Sequence, residues 1–185
     1  VRLRLKTSGT RNWEIYRKLE HGGKTVMLLN RSGRDAATPN GYVDDGYDVT
    51  FDDNAAPNGD VHIYQTITGP LPFGNSLKGT WEPDGRDVNP ANVVTGDART
   101  KPLAEFGGLA ANGNWVLTVS DNNNGETHRL EQWQLDVTGQ VGTARFLADT
   151  LLAATDCRVL DPPDAQARLP PHTTGTHATP PPRPP

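Results

Sequence analysis

The chain has 185 residues, a formal net charge of −4 and 34% hydrophobic residues, with 19 glycines and 16 prolines. Its length suits one domain with or without a tail, and its glycine and proline content is typical of turn-rich all-β proteins. The slightly acidic charge argues against a nucleic-acid binder, and no apolar run is long enough to span a bilayer. A single cysteine, Cys157, excludes an internal disulfide.

The first part of the chain predicts short strands separated by turns. Alternation of apolar and polar residues indicates strands with one buried face, and the glycine, asparagine and aspartate clusters between them indicate turns. A long surface loop is predicted over residues 30–46. Strands are predicted, in chain order, at residues 1–6, 13–19, 25–29, 47–51, 61–64 and 77–81.

Two later stretches, residues 112–121 and 130–139, alternate most clearly and are separated by a loop rich in asparagine. Their period of two and the turn-forming residues between them predict a hairpin. Trp115 and Trp133 occupy apolar positions of the pattern. The hairpin is therefore predicted to place both indoles in one core.

Many short strands, and no convincing helix before Gly139, predict an all-β protein with a β-sandwich or jelly-roll fold. Residues 144–154 carry a rough apolar face that predicts one short helix. The proline-rich composition that begins at Asp161 predicts an extended or disordered tail. The predicted organisation is a domain at 1–139, a linker with a short helix at 140–160 and a disordered proline-rich tail at 161–185. Because Val1 opens directly in a strand pattern, the chain is expected to be a fragment or a processed product.

The residue pattern does not predict catalysis. A serine hydrolase needs a nucleophile, a base and an orienting acid in one site. The four serines lie outside Gly-x-Ser-x-Gly, and the five histidines lack zinc-type spacing, so neither a catalytic residue nor a transition-metal site is predicted.

Calcium is the one cofactor that the sequence favours. It binds carboxylate and carbonyl oxygens in loops, and acidic or amide side chains follow two of the predicted strands. The predicted ligands are Asp52, Asp53, Asp121 and Asn123. The alternative is that these residues form turns by bonding their own backbone.

Four tryptophans leave a second kind of ligand open. Exposed aromatic side chains on a β-sandwich can stack against sugar rings. Trp81 begins a predicted turn and is expected to be partly exposed. Trp13 is the most unusual of the four, because it stands where a small residue is expected. Carbohydrate binding is therefore an alternative to a purely structural role.

Several motifs together resemble the P domain, also called P/Homo B, of subtilisin-like proprotein convertases. The resemblance covers residues 1–139 and rests on Asn12 and on the stretches 14–16, 26–31, 49–55, 79–86, 103–107, 112–121 and 130–139. Leu29-Asn-Arg31 and Trp81-Glu-Pro-Asp-Gly-Arg86 resemble the variety found in bacterial secreted proteins. The chain departs from the pattern at Trp13-Glu14, where the family has Gly-Asp, and at Arg129, where the family often has glycine.

The resemblance implies a jelly-roll sandwich similar to galactose-binding-like domains. It implies a non-catalytic domain that packs beside a protease catalytic domain and supports its folding, its stability and its calcium and pH dependence. The expected function is thus an accessory, stabilising domain of a secreted bacterial protein, of the kind attached to subtilisin-like serine endopeptidases. The alternatives are a carbohydrate-binding sandwich and the C-terminal fragment of a serine protease whose catalytic domain precedes Val1.

Overall fold

A computed structural model describes residues 1–123 and 127–139 in full and the backbone of residues 142–149 and 157–159. The described residues form two β-sheets, with strand orders β5-β4-β1-β7-β8 and β3-β2-β6-β9. The strands are β1 Arg2–Ser8, β2 Ile15–His21, β3 Lys24–Asn30, β4 Tyr47–Phe51, β5 Leu77–Trp81, β6 Gly113–Asp121, β7 Arg129–Gly139, β8 Gly142–Asp149 and β9 Cys157–Val159. The all-β sandwich prediction is confirmed, whereas the jelly-roll topology stays a prediction.

Strand β1 lies at the centre of the five-stranded sheet. Leu5 of β1 faces Val49 of β4 on one side and Trp133 of β7 on the other, both in antiparallel register. Strand β4 then pairs in parallel with β5. A parallel pair needs a long crossover, which the chain between Phe51 and Leu77 supplies.

The core lies between the two sheets and is built from the apolar positions of the alternating pattern. Along β1 the burial alternates residue by residue, with Leu3 and Leu5 buried and the intervening cations exposed. The largest fully buried aromatic side chains are Trp81, Trp115, Trp133, Tyr47, Tyr64 and Phe51. This burial of large apolar side chains is the main stabilising contribution that the sequence pattern predicts.

The predicted pairing of residues 112–121 with residues 130–139 is wrong. β6 pairs with β2 and β9 in one sheet, and β7 pairs with β1 and β8 in the other. Trp115 and Trp133 are nevertheless both in the same core, as predicted. A period of two shows that each strand has a buried face, but it does not specify the partner strand.

Two segments before residue 81 differ from their predicted form. The strand predicted to start at residue 13 begins at Ile15, because Asn12–Glu14 form a turn of 3-10 helix. The strand predicted at 61–64 is a 3-10 helix, Val61–Ile63, in which the Asp60 carboxylate accepts the His62 N–H. Side-chain capping of a backbone N–H favours a helical turn over an extended strand.

The helix predicted at residues 144–154 is also wrong over its first part, where the backbone forms β8 instead. β8 pairs with β7 along its length, with Val137 opposite Ala144. A free β7 edge offers unpaired backbone groups, and pairing with it outweighs a weak helical preference. The predicted tail at residues 161–185 lies outside the described residues. None of the helices within the described part of the chain is long and apolar enough to cross a bilayer.

Candidate functional site

The four predicted calcium ligands lie in two separate places, near opposite ends of β1. Leu3 faces Phe51, so Asp52 and Asp53 lie near the start of β1. Ser8, the last residue of β1, faces Arg129 in β7, and Asp121 contacts His128, the residue before Arg129. Asp121 and Asn123 therefore lie near the end of β1. Seven strand residues separate the two places by about 20 Å. The sequence-predicted residues therefore cannot form one four-ligand site.

At the start of β1 the two carboxylates already accept hydrogen bonds. Asp52 accepts from the Arg2 guanidinium at 2.5 Å and from the Asn54 N–H at 3.0 Å. The Asn54 bond first, and Arg2 in addition, lower the pKa of Asp52 below its ordinary value. Asp53 accepts the backbone N–H groups of Leu103 and Ala104 at 2.9 and 2.6 Å. These donors stabilise the charges of both carboxylates without a metal ion.

Near the end of β1, three ionisable side chains from distant parts of the chain converge. Glu14, Asp121 and His128 each place one potential ligand atom within 4.8 Å of the others. His128 Nε2 lies 3.3 Å from Glu14 Oε2 and 3.9 Å from Asp121 Oδ2. The Glu14 and His128 side chains are 0% and 3% exposed, whereas the Asp121 side chain is 32% exposed. Among these three side chains of the described part of the chain, Asp121 is the one that solvent reaches.

Asn123 orients both carboxylates of this cluster from the outside. Its side-chain amide donates to Glu14 Oε1 at 3.0 Å, and its backbone N–H donates to Asp121 Oδ1 at 3.1 Å. Arg11 also lies 3.4 Å from Glu14 Oε1. The outer oxygens are therefore occupied, and Oε2 and Oδ2 are the atoms that face His128.

Sequence reasoning found Asp121 and Asn123 but missed Glu14 and His128. The missing signal was the strand register. Ile15 lies opposite Asp121 across β2 and β6, so Glu14, one residue earlier, meets the loop after β6. The residues are separated by more than 100 positions in the sequence, and spacing alone does not reveal that contact.

A second polar cluster, which we call the ionic network, is buried under the turn at residues 83–86. It consists of His62, Asp84, Arg86 and Asp60. His62 Nδ1 lies 2.8 Å from Asp84, and Arg86 contacts Asp84 and Asp60 at 3.2 and 2.6 Å. Burial alone would lower the pKa of His62, but the hydrogen bond and the charge of Asp84 outweigh it and raise that pKa. The ionic network anchors the turn to strand β3, because the Asn30 N–H donates to Asp84.

A cleft of about 1180 Å³ opens between the sheets near the start of β1. Its wall includes His21, which stacks on Trp115 with ring centroids 3.9 Å apart. Both ring nitrogens of His21 face backbone carbonyls, those of Asn114 and Ala110, at 2.9 and 2.6 Å. These two contacts and the stacked indole fix the orientation of the His21 ring in the wall of the cleft.

The tryptophans do not form an exposed aromatic face. Trp81 was expected to be partly exposed, but it is 1% exposed, like Trp115 and Trp133. Trp13 is 7% exposed, and the Arg31 guanidinium lies 4.8 Å above its ring. All four indoles therefore serve packing in this domain.

The fold and these polar clusters define a β-sandwich module stabilised by buried ionic contacts. Residues 82–137 match the family model of the proprotein convertase P-domain, which confirms the resemblance seen in the sequence over that segment. The matched segment includes the turn of the ionic network and strands β6 and most of β7. Neither the curated proteins nor the solved structures gave a match to the chain.

The match carries a coarse functional meaning. A P domain is a non-catalytic accessory domain of proprotein convertase-like proteases, and it associates with a protease catalytic domain. P domains occur in extracellular proteases.

Proposed function

We propose that this chain is an accessory domain that binds and stabilises the catalytic domain of a subtilisin-like serine endopeptidase in a secreted bacterial protein. The observation that carries the proposal is the P-domain match over residues 82–137, a segment that contributes Trp115, Trp133 and the Asp84–Arg86 pair to the interior. In this segment Asp84 and Arg86 are 0% and 2% exposed, and their side chains pair with each other and with His62 and Asp60. That use of polar groups supports a stabilising role.

Two buried histidines, His62 and His21, are held by other groups of the protein at both ring nitrogens. A general base needs a free ring nitrogen near a nucleophile. His62 has Asp84 at Nδ1 and the Arg34 carbonyl at Nε2, 2.8 and 3.0 Å away. His21 has a carbonyl at each nitrogen. Both ring nitrogens of these two imidazoles therefore contact protein acceptors rather than a serine hydroxyl.

Three exposed apolar side chains offer a surface for the protease domain. Phe73, Val43 and Ile67 are 95%, 66% and 52% exposed. Val43 and Phe73 lie on two loops that are tied together, because Asp44 accepts the Leu71 N–H and Asp45 accepts the Gly74 N–H. Ile67 lies on the short helix Gln65–Thr68, just before the second loop. We call Val43, Ile67 and Phe73 the apolar loop patch. Apolar side chains held on fixed loops are suited to binding a partner domain.

Carbohydrate binding receives no comparable support, because the four tryptophans on which that alternative rested are buried. The third alternative, a fragment of a serine protease, agrees with the proposal if the catalytic domain belongs to the same polypeptide. Both describe the same contact between this domain and a protease.

The test uses this chain together with subtilisin-like catalytic domains encoded in its source genome. We expect the chain alone to hydrolyse no peptide substrate and to resist labelling by a fluorophosphonate. We expect at least one catalytic domain to bind it, as measured by isothermal titration calorimetry. Labelling of a serine in the chain, or a lack of binding to all of these domains, would contradict the proposal.

A further inference from the structure

We propose that Glu14, Asp121 and His128 form a binding site for a transition-metal ion of the zinc class, with water as the fourth ligand. This goes beyond the accessory role and does not depend on it. It also departs from the sequence-based expectation of calcium alone. Two carboxylates and one imidazole form a donor set that suits zinc, whereas calcium takes oxygen ligands.

The distances support a coordination site better than a direct ion pair. A hydrogen bond between an imidazolium and a carboxylate is normally about 2.7–2.9 Å long. The His128 Nε2 atom lies 3.3 Å from Glu14 and 3.9 Å from Asp121, so both contacts are longer. Ligands bound at about 2.0–2.2 Å in a tetrahedron lie about 3.3–3.6 Å apart. Small side-chain movements would therefore place all three atoms around one ion.

The surroundings hold the ligand atoms in place. Asn123 bonds the outer oxygens of both carboxylates, at 3.0 and 3.1 Å, which leaves the inner oxygens directed toward His128. Hydrogen bonds from neighbouring residues to the ligating side chains orient metal ligands in proteins. Arg11 lies 3.4 Å from Glu14 Oε1, the outer oxygen, and therefore does not occupy Oε2.

His128 itself provides an independent observation. Its side chain is only 3% exposed, and its Nδ1 atom has no hydrogen-bond partner among the residues that the structure describes. Nε2 contacts Glu14 Oε2 at 3.3 Å, and on the Nδ1 side close packing rather than a hydrogen bond holds the ring. A Cβ at Gly9 would lie 2.7 Å from His128 Nδ1 and 2.6 Å from the Thr127 carbonyl. The absence of a side chain at Gly9 lets a buried imidazole direct Nε2 at two carboxylates.

The experiment measures metal binding to the full chain after treatment with a chelator. We expect 10 µM zinc chloride to raise the melting temperature by at least about 5 °C, and one zinc per chain to remain after gel filtration. We expect cobalt(II) to give the visible absorption bands of a tetrahedral site. Calcium chloride at 10 µM should leave the melting temperature within about 1 °C.

Variants separate this site from adventitious binding. We expect H128Q and D121N to weaken zinc affinity at least 10-fold, and D121N keeps the test valid if H128Q fails to fold, since Asp121 is at the surface. The controls are D87N, which alters an exposed aspartate outside the cluster, and H172Q/H177Q, which alters two histidines of the C-terminal segment. Both controls should bind zinc as the unchanged chain does. The proposal is overturned if no zinc binds at 100 µM, if D121N binds it with unchanged affinity, or if calcium binds as tightly as zinc.

Discussion

The imidazole of His62 and the carboxylate of Asp84 lie 2.8 Å apart in the interior, and neither side chain is exposed to solvent. Asp84 also contacts the Arg86 guanidinium and accepts the Asn30 N–H. One carboxylate therefore contacts both His62 and Arg86 and ties strand β3 to the turn at residues 83–86.

We expect D84N to destabilise the domain by about 3–5 kcal/mol, because the buried His62 would lose the carboxylate at its Nδ1 and Arg86 would lose one of its two carboxylate partners. The change preserves side-chain volume, so lost packing would contribute little. Urea unfolding followed by tryptophan fluorescence measures the difference. The control D87N alters an exposed aspartate three residues away and should change the free energy of unfolding by less than about 0.5 kcal/mol. Equal stability of the two variants would show that the ionic network does not stabilise the fold.

Stability should fall as the pH rises above about 6.5. Asp84 raises the pKa of His62 in the folded state, so the folded protein holds this proton more tightly than the unfolded chain does. The resulting stabilisation is complete below the unfolded pKa and disappears as the pH passes the folded pKa. One proton gives a slope of at most about 1.4 kcal/mol per pH unit.

H62Q should reduce that slope, and urea unfolding between pH 6 and pH 9 measures it. A slope that is the same in both proteins, or stability that rises with pH, would contradict the assignment.

Calcium binding stays a prediction, and the two separate places make it testable by variants. Both Asp53 oxygens accept backbone N–H groups, so we expect D53A to destabilise the domain by about 1 kcal/mol with or without calcium. Millimolar calcium should raise the melting temperature of the unchanged chain by a few degrees through weak binding near Asp121. This shift should persist in D53A and disappear in D121N. A shift that D53A alone removes would place calcium at the start of β1 instead.

The alternating stretches made the β-sandwich predictable, because they show which residues face the core. Leu3, Leu5, Trp115 and Trp133 are buried as the pattern predicts. The pattern could not show that β6 and β7 belong to different sheets, because that depends on the edges offered by β1 and β2. Nor could it show that a backbone edge would convert residues 144–149 to strand.

The polar clusters were less predictable for a related reason. Asp121 and Asn123 carried a recognisable loop composition, whereas Glu14 and His128 join them only through the strand register. The ionic network depends in the same way on Val61–Ile63 forming a 3-10 helix, which places His62 beside Asp84. Such contacts between distant residues have no short-range sequence signal.

The accessory role is tested most directly by the half-life of protease activity. Each subtilisin-like catalytic domain of the source genome is heated with and without this chain, and the residual peptidase activity is followed over time. We expect the chain to lengthen the half-life of at least one of them several-fold. The double variant I67S/F73S should lose most of that effect, while V119T, which alters an exposed valine of β6 outside the apolar loop patch, should keep it. Half-lives that the chain leaves unchanged for all of these catalytic domains would contradict the account.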